Sequence, residues 1–317
     1  MYEKENVSLY CKLIYSCNSK CLFCIAHKYI QEQVPALTLK DLTANIDFFI
    51  RKYFVKEIVL SGGEPTLHSD FFEIVNMLNR NNLDIKLLSN CIKFSETKFM
   101  DQTKESLYRA GGDNRIMFSM HRSPEEIAKK KLEGILNLAH SKLATTAIIT
   151  ITKQNQNRLL DMLLFVAKLK EKFHCNLISV EIRMIYLGTD TMPEEGRKAI
   201  PDNFKEIKNY LEPGLIFLKR KHIACELWNI PLCYLEDPMV YLEDPMFNFN
   251  KYLYKRISTP TYIIDSLAQQ DQACIYDWQK ELHSDDNCKW CRIRNYCGGI
   301  NQQYICKLNY PFLRTIR

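Results

Sequence analysis

No apolar run in this 317-residue chain approaches the ~18 residues that a membrane-spanning helix needs, so no transmembrane segment is expected. The first residues, Met-Tyr-Glu-Lys-Glu-Asn, carry charge where a secretory signal would have an apolar core. A cytoplasmic location is therefore expected. No basic run is dense enough to argue for nucleic-acid binding. The formal net charge of +6 is mild and would help attract an acidic electron donor, a peptide or a nucleic acid without selecting any of them. An even cysteine count, which a closed disulfide framework would use, is also missing. The chain has 13 cysteines, and in a reducing compartment clustered cysteines more often bind metal. With 46% hydrophobic and 25% charged residues, the composition is that of an ordinary folded protein. The length fits one large domain and a smaller one.

Strand-like and helix-like stretches alternate through the first two-thirds of the chain. Strands are expected at 7–15, 57–60, 85–88, 116–120, 144–152 and 177–186. Helices are expected at 37–53, 71–81, 95–110, 123–143, 156–173 and 202–211, with Ser69 or Asp70 capping the second and Ser-Pro-Glu-Glu opening the fourth. Six β-α units in series predict a parallel sheet with helices outside it. Six are too few to close an eight-stranded barrel. The expected fold is therefore α/β, a partial (β/α)6 TIM-like barrel over residues 1–213, with functional groups at the C-terminal strand ends. The cysteine loop, Gly62–Pro65, Asn90, Ser119 and Thr152 all fall at such ends. After about residue 213 long amphipathic periodicity fades, and aromatics, prolines and cysteines become dense. Residues 214–317 are expected to form a small cysteine-rich C-terminal domain that opens with a strand near 215. The hexapeptide Tyr-Leu-Glu-Asp-Pro-Met at 234–239 recurs at 241–246 and reads as a local loop duplication, since two copies fall short of a solenoid.

The first chemical motif follows the opening strand. Cys17, Cys21 and Cys24 are spaced C-x3-C-x2-C. Three thiolates so placed can hold three irons of a [4Fe–4S] cube and leave the fourth open, and a catalytic metal site needs such a vacancy. Zinc is the alternative, with a fourth ligand such as His27. The second strand then ends in Ser61-Gly62-Gly63-Glu64-Pro65, whose glycines permit close backbone approach to a ligand and whose Glu64 can bind an ammonium group. Read structurally, the same residues are a turn and a solvated charge.

Together the two motifs resemble the radical S-adenosylmethionine (SAM) superfamily. Cys17, Cys21 and Cys24 match its cluster motif, Phe23 its aromatic position before the third cysteine, and Gly62-Gly63-Glu64-Pro65 its Gly-Gly-Glu-Pro motif. The resemblance covers about residues 7–190 and implies that SAM chelates the open iron. Glu64 would orient the SAM amino group, and Phe23 would pack near the adenine. An electron from the cluster would cleave SAM to methionine and a 5′-deoxyadenosyl radical that abstracts a substrate hydrogen. By the same resemblance, Asn90 and Ser119 would contact the ribose or the methionine moiety and Arg183 the SAM carboxylate. Each of the three is otherwise an ordinary strand-end polar group.

Cys288, Cys291 and Cys297 form a second group, C-x2-C-x5-C, ahead of Gly298-Gly299. It resembles part of the SPASM and twitch extensions that hold auxiliary [4Fe–4S] clusters in many radical SAM enzymes. Position 301, where that pattern continues with cysteine, is Asn, and the upstream cysteine–glycine–cysteine arrangement is missing. One auxiliary cluster is expected rather than two, with Cys233 as fourth ligand and Cys306 or Cys274 in reserve. A zinc knuckle is the alternative. Cys11, Cys91 and Cys175 read as core residues, and Cys225 as either core or a hydrogen-atom donor. Lys289, Arg292 and Arg294 suit docking of a flavodoxin- or ferredoxin-type electron donor, or are simply surface.

Three functions are compatible with this pattern. One is a radical SAM maturase that oxidises or cross-links a ribosomally made peptide, although no leader-binding domain is expected before Val7. A second is radical chemistry on a small molecule such as a sugar, amino acid or nucleoside. The third is a non-enzymatic module with two zinc sites. His121 and Tyr186 are expected to point toward the cavity or to serve packing.

Overall fold

The computed structural model describes residues 4–109, 111–121, 124–175, 178–185, 192–202, 204–242, 247, 260–267, 282–283, 290–292, 297 and 300–301. Strand β1 (Asn6–Ile14) alternates strictly. Val7, Leu9, Cys11 and Leu13 are buried, while the residues between them face the other side of the sheet. The cysteine loop and the short helix α1 (His27–Gln31) follow. Helix α2 (Leu39–Lys52) starts at Thr38, whose Oγ1 accepts the Asp41 N–H at 3.1 Å, and it buries Leu42, Ile46 and Phe49 along one stripe.

The β-α alternation continues through β2 (Phe54–Gly62), α3 (Phe71–Arg80), β3 (Asp84–Ser89), α4 (Thr97–Leu107), β4 (Arg115–Ser119), α5 (Glu125–Ser141), β5 (Thr145–Ile151), α6 (Leu159–Phe173) and β6 (Ile178–Met184). Every residue of β5 is buried, as in a central parallel strand covered on both faces. Of the expected caps, Asp70 precedes α3 without a side-chain bond. Ser123 and Tyr186 lie outside the described residues.

The second part of the chain departs from expectation. After α7 (Glu194–Lys198), helix α8 runs over Phe204–Arg220, straight through Pro213. No strand opens at 215. The buried series Ile207, Leu211, Leu215 and Leu218 keeps helical spacing across the proline, so apolar burial outweighs the missing hydrogen bond. The expected boundary between 213 and 214 thus falls inside a helix. Strand β7 (Cys225–Trp228) pairs with β6, helix α9 (Pro238–Leu242) follows, and β8 (Thr261–Asp265) pairs with β1. Among the described residues the sheet therefore has eight strands rather than six, all parallel, in the order β7-β6-β5-β4-β3-β2-β1-β8. It stays open, a partial barrel. The short strands β9 (Leu282–His283) and β10 (Ile300–Asn301) form a separate antiparallel pair. The second copy of the hexapeptide lies largely outside the described residues.

Strand β8 is tied to β1 by side chains as well as by the ladder. Tyr15 donates to Asp265 Oδ2 at 2.5 Å, and Lys12 Nζ lies 3.1 Å from the same oxygen. Burial, then this hydrogen bond, raises the Tyr15 pKa, so the phenol stays protonated at neutral pH.

Candidate active site

The parallel topology brings the residues after β1, β2, β3 and β4 to one end of the sheet. Cys17, Cys21 and Cys24 lie there, all half-buried and none in a disulfide. The loop is folded by backbone turns, with Cys24 N donating to Cys21 O and His27 N to Cys24 O, both at 3.3 Å. Polar groups are aimed at the sulfurs. Ser19 N donates to Cys17 Sγ at 3.4 Å, Ser19 Oγ is 3.4 Å from Cys21 Sγ, and Asn90 Nδ2 is 3.7 Å from Cys17 Sγ. His121 Nε2, from the end of β4, is 2.8 Å from Cys21 Sγ. Burial, the largest effect, pushes the Cys17 thiol up to about 12 and raises that of Cys24, against a lowering by loop N–H groups.

The Gly-Gly-Glu-Pro run braces this loop from below. A Cβ on Gly62 would overlap the Ile14 carbonyl oxygen, and one on Gly63 the carbonyl oxygens of Tyr15 and Ser16. The close approach made by these glycines is to the backbone leading into the cysteine loop, not to open space. Gly63 N donates to Ile14 O at 2.6 Å and Glu64 N to Ser16 O at 3.0 Å. Gly62 also adopts φ +120°, a conformation closed to side-chain-bearing residues. Pro65 is buried and opens a 3-10 turn, Pro65–Leu67.

Glu64 is not the solvated charge of the structural alternative. It is 1% exposed, and its carboxylate points into protein. Oε1 accepts from Thr66 Oγ1 (2.7 Å), Ser89 Oγ (2.9 Å) and Thr66 N (3.3 Å), and Oε2 from Asn90 N (2.7 Å). Burial raises its pKa, while the four bonds pull it back. All four of these donors belong to the chain itself, and Glu64 serves as a brace between strand ends. Asn90 has a similar role. Its Nδ2 donates to Asn18 Oδ1 at 2.8 Å, and its Oδ1 accepts from Ile92 N at 2.9 Å, so the side chain holds the cysteine loop against β3.

The remaining expected residues divide. Phe23 meets the His121 ring edge-on at 5.1 Å, and Gly196 of α7 approaches the backbone of Leu22 and Phe23 from the other side. Ser119 ends β4, half-buried. Arg183 Nε lies 3.1 Å from Glu181 Oε1, an ion pair without hydrogen-bond alignment. Cys11, Cys91 and Cys175 are buried core thiols as expected, and Cys225 is equally buried in β7. Burial pushes the Cys225 thiol far up.

In the second cysteine group, Leu232 N donates to Cys297 Sγ at 3.4 Å, which sets Cys297 against the residue preceding Cys233. Cys291 and Cys297 pack against the main core, and Arg292 is exposed. Cys288, Cys274, Cys306, Lys289 and Arg294 lie outside the described residues.

The residues of the first group fit an iron–sulfur cube. Among the described residues no three Cys, His, Asp or Glu side chains converge on a point that one metal ion could occupy. A cube instead takes each thiolate at a different iron, and N–H donors to the sulfurs are a normal part of such sites. The arrangement suits Cys17, Cys21 and Cys24 as holders of a [4Fe–4S] group better than as zinc ligands.

A parallel partial barrel whose first strand runs into a three-cysteine loop defines the class, an enzyme domain with a candidate iron–sulfur site at the C-terminal strand ends. Residues 12–166 match the family model of the Radical SAM superfamily, and the chain carries a radical SAM domain. Its cofactors are those of radical SAM enzymes, a [4Fe–4S] cluster and S-adenosylmethionine. Among curated proteins, the chain is 35% identical over 78 residues to one whose name is that of a glycyl-radical enzyme activating enzyme, from Methanocaldococcus jannaschii, covering 24% of this chain and 31% of that one. It is 24% identical over 224 residues to a "Probable GTP 3′,8-cyclase" of Saccharolobus solfataricus, covering 66% and 67%. The match thus spans from about a third to two thirds of these relatives' lengths. Among solved structures, Streptococcus suis SuiB bound to S-adenosylmethionine aligns with a TM-score of 0.61 at 13% identity, covering 99% of this chain and 77% of that one. The enzyme anSMEcpe with bound AdoMet aligns with a TM-score of 0.63 at 14% identity, covering 98% and 89%. At such identities the likeness is one of fold. No helix among the described residues is long and apolar enough to cross a membrane.

Proposed function

We propose that this chain is a radical SAM enzyme that oxidises or cross-links a ribosomally made peptide, with Cys17, Cys21 and Cys24 holding the SAM-binding cluster. The observation that carries the reading of the site is the three-cysteine loop, braced by Glu64 and Asn90 and met at Cys21 by His121 at 2.8 Å. When bound, the cluster and SAM supply one-electron reductive chemistry that ends in removal of a substrate hydrogen. The chain's own residues position the loop. Asn90 and Ser19 aim N–H groups at Cys17, while Phe23 and α7 close one side of the site. Gly62, Gly63 and Pro65 fix the second loop beneath it. Phe23, Glu64, Asn90, Ser119 and Arg183 are the candidates for contacting SAM itself.

The peptide assignment draws support from the fold likeness to SuiB bound to its precursor peptide SuiA, with a TM-score of 0.62 at 14% identity. The position of Cys297 beside Leu232 favours one auxiliary cluster formed by Cys233, Cys288, Cys291 and Cys297, set against the barrel. Such a cluster would accept an electron from the substrate or relay one from a flavodoxin- or ferredoxin-type donor. A second reading, radical chemistry on a small molecule, is favoured by the relatives named as GTP 3′,8-cyclases, one of which matches 66% of this chain.

Anaerobic reconstitution with iron, sulfide, SAM and a reductant tests the common part. Two clusters per chain and release of 5′-deoxyadenosine are expected. Incubation with precursor peptides encoded nearby, and separately with GTP, then divides the two readings. A mass change in a peptide supports the first. Turnover of GTP with no change in any peptide would replace it with the second.

A further inference from the structure

Lys131 occupies a position where an apolar residue belongs. It lies on α5 in the same stripe as Ile127, Gly134, Ile135 and Leu138, and it is 5% exposed. A buried ammonium is costly unless negative charge or good acceptors surround it. No carboxylate among the described residues forms an ion pair with Lys131. Its hydrogen bond goes to the backbone carbonyl of His121, at 3.3 Å. The negative groups that favour its charge, against burial, are Cys21, Cys91, Glu64 and Cys17. Cys91 is a fully buried thiol held neutral by that burial, and the Glu64 carboxylate is already bonded to Thr66, Ser89 and Asn90. What remains for this cation to offset is the pair of cluster thiolates.

His121 completes the link. Lys131 holds its carbonyl, the Phe23 ring meets its imidazole edge-on, and its Nε2 lies 2.8 Å from Cys21 Sγ. Its Nδ1 is buried and has no hydrogen-bond partner, so the contact with Cys21 is what anchors the ring. With the proton on Nε2, the imidazole donates to the sulfur.

We propose that Lys131 and His121 form a two-residue support for the Cys21 corner of the cluster, the ammonium lending positive charge and the imidazole an N–H, and that together they raise its reduction potential. This rests on the reading of Cys17, Cys21 and Cys24 as cluster ligands. Three thiolates give the cluster a net negative charge that grows by one unit on reduction. A fixed cation in a poorly polarisable interior stabilises the reduced form more than the oxidised one, and hydrogen bonds to the sulfurs act in the same direction. Both are positioning residues, acting through Cys21.

The test is an EPR-monitored redox titration of the reconstituted full-length chain, following the signal that responds to SAM. Lys131→Met keeps similar bulk and removes the charge. It is expected to shift the one-electron equilibrium at least tenfold toward the oxidised form, a midpoint about 59 mV more negative, with iron and sulfide content unchanged. Lys131→Arg should stay close to wild type. His121→Phe should lower the midpoint, and His121→Gln, which keeps an N–H, should restore most of it. A fully loaded Lys131→Met protein with the wild-type midpoint overturns the proposal. If that variant does not hold a cluster, a His121→Phe protein with the wild-type midpoint overturns it equally. A wild-type chain that binds no cluster at all overturns the reading of the site, and this proposal with it.

Discussion

Glu64 Oε2 accepts the backbone N–H of Asn90 at 2.7 Å, and this bond joins the chain leaving β2 to the chain leaving β3. The Asn90 side chain carries the tie onward to Asn18 and Cys17. A carboxylate expected to meet a ligand is also the pin on which the geometry of the cysteine loop turns. Glu64→Gln replaces an acceptor with an amide whose NH2 would face donors. The expected cost is about 1–3 kcal/mol of stability, visible as a lower thermal midpoint of the cluster-free protein. Weaker retention of iron by the reconstituted protein should accompany it. An unchanged midpoint would mean that the four bonds to Glu64 contribute nothing net.

The two cysteine groups should separate by mutation. Cys17→Ala combined with Cys21→Ala is expected to abolish 5′-deoxyadenosine release and to remove one cluster's worth of iron and sulfide. Cys291→Ala should remove the other cluster and spare release at least in part, while product formation fails. Full loss of release in Cys291→Ala would tie the C-terminal cysteines to SAM cleavage itself.

Thiol chemistry gives a pH-dependent prediction for the cluster-free protein. The thiolate is the reactive form, and burial lifts the Cys17 pKa to about 12 and raises that of Cys24. A raised thiol pKa means a smaller thiolate fraction at any pH below it. Alkylation of both residues at pH 8, followed by peptide mass spectrometry, should run more slowly than for a cysteine in a short peptide. The rate should still be climbing at pH 10. A plateau below pH 9 would contradict the burial argument.

The sequence exposed the first two-thirds of the fold well because burial and period agree there. Alternation along β1 and the stripe Leu42, Ile46, Phe49 on α2 each have one reading. The expected helix stopped at 211 because amphipathic periodicity was read as fading there, and only the continued burial of Leu215 and Leu218 shows that the helix passes through Pro213. Strand β8 escaped because five residues, Thr-Tyr-Ile-Ile-Asp, carry too little pattern to stand out. The cysteine loop was legible from spacing. The commitment of Glu64 to Ser89 and Asn90 was not, since hydrogen bonds between strand ends leave no periodic trace. Lys131 did leave a signal, a lone cation on the apolar stripe of α5.

Gly63 separates two reasons for a glycine. Gly62 has φ +120° and is needed for backbone conformation, whereas Gly63 shows no such φ. Its need is purely spatial, because a Cβ would overlap the carbonyl oxygens of Tyr15 and Ser16. These are backbone atoms and cannot rotate away, so Gly63→Ala must push the cysteine loop off β2 and strain the bond from Gly63 N to Ile14 O. Overpacking of this kind costs about 1–3 kcal/mol, and here the displaced segment is the one that carries Cys17. The variant is therefore expected to fold with a reduced thermal midpoint but to lose iron–sulfur loading out of proportion to that loss. Far-UV circular dichroism with iron and sulfide counts checks this. Normal loading at a reduced midpoint would show that the loop shifts without disturbing its sulfurs.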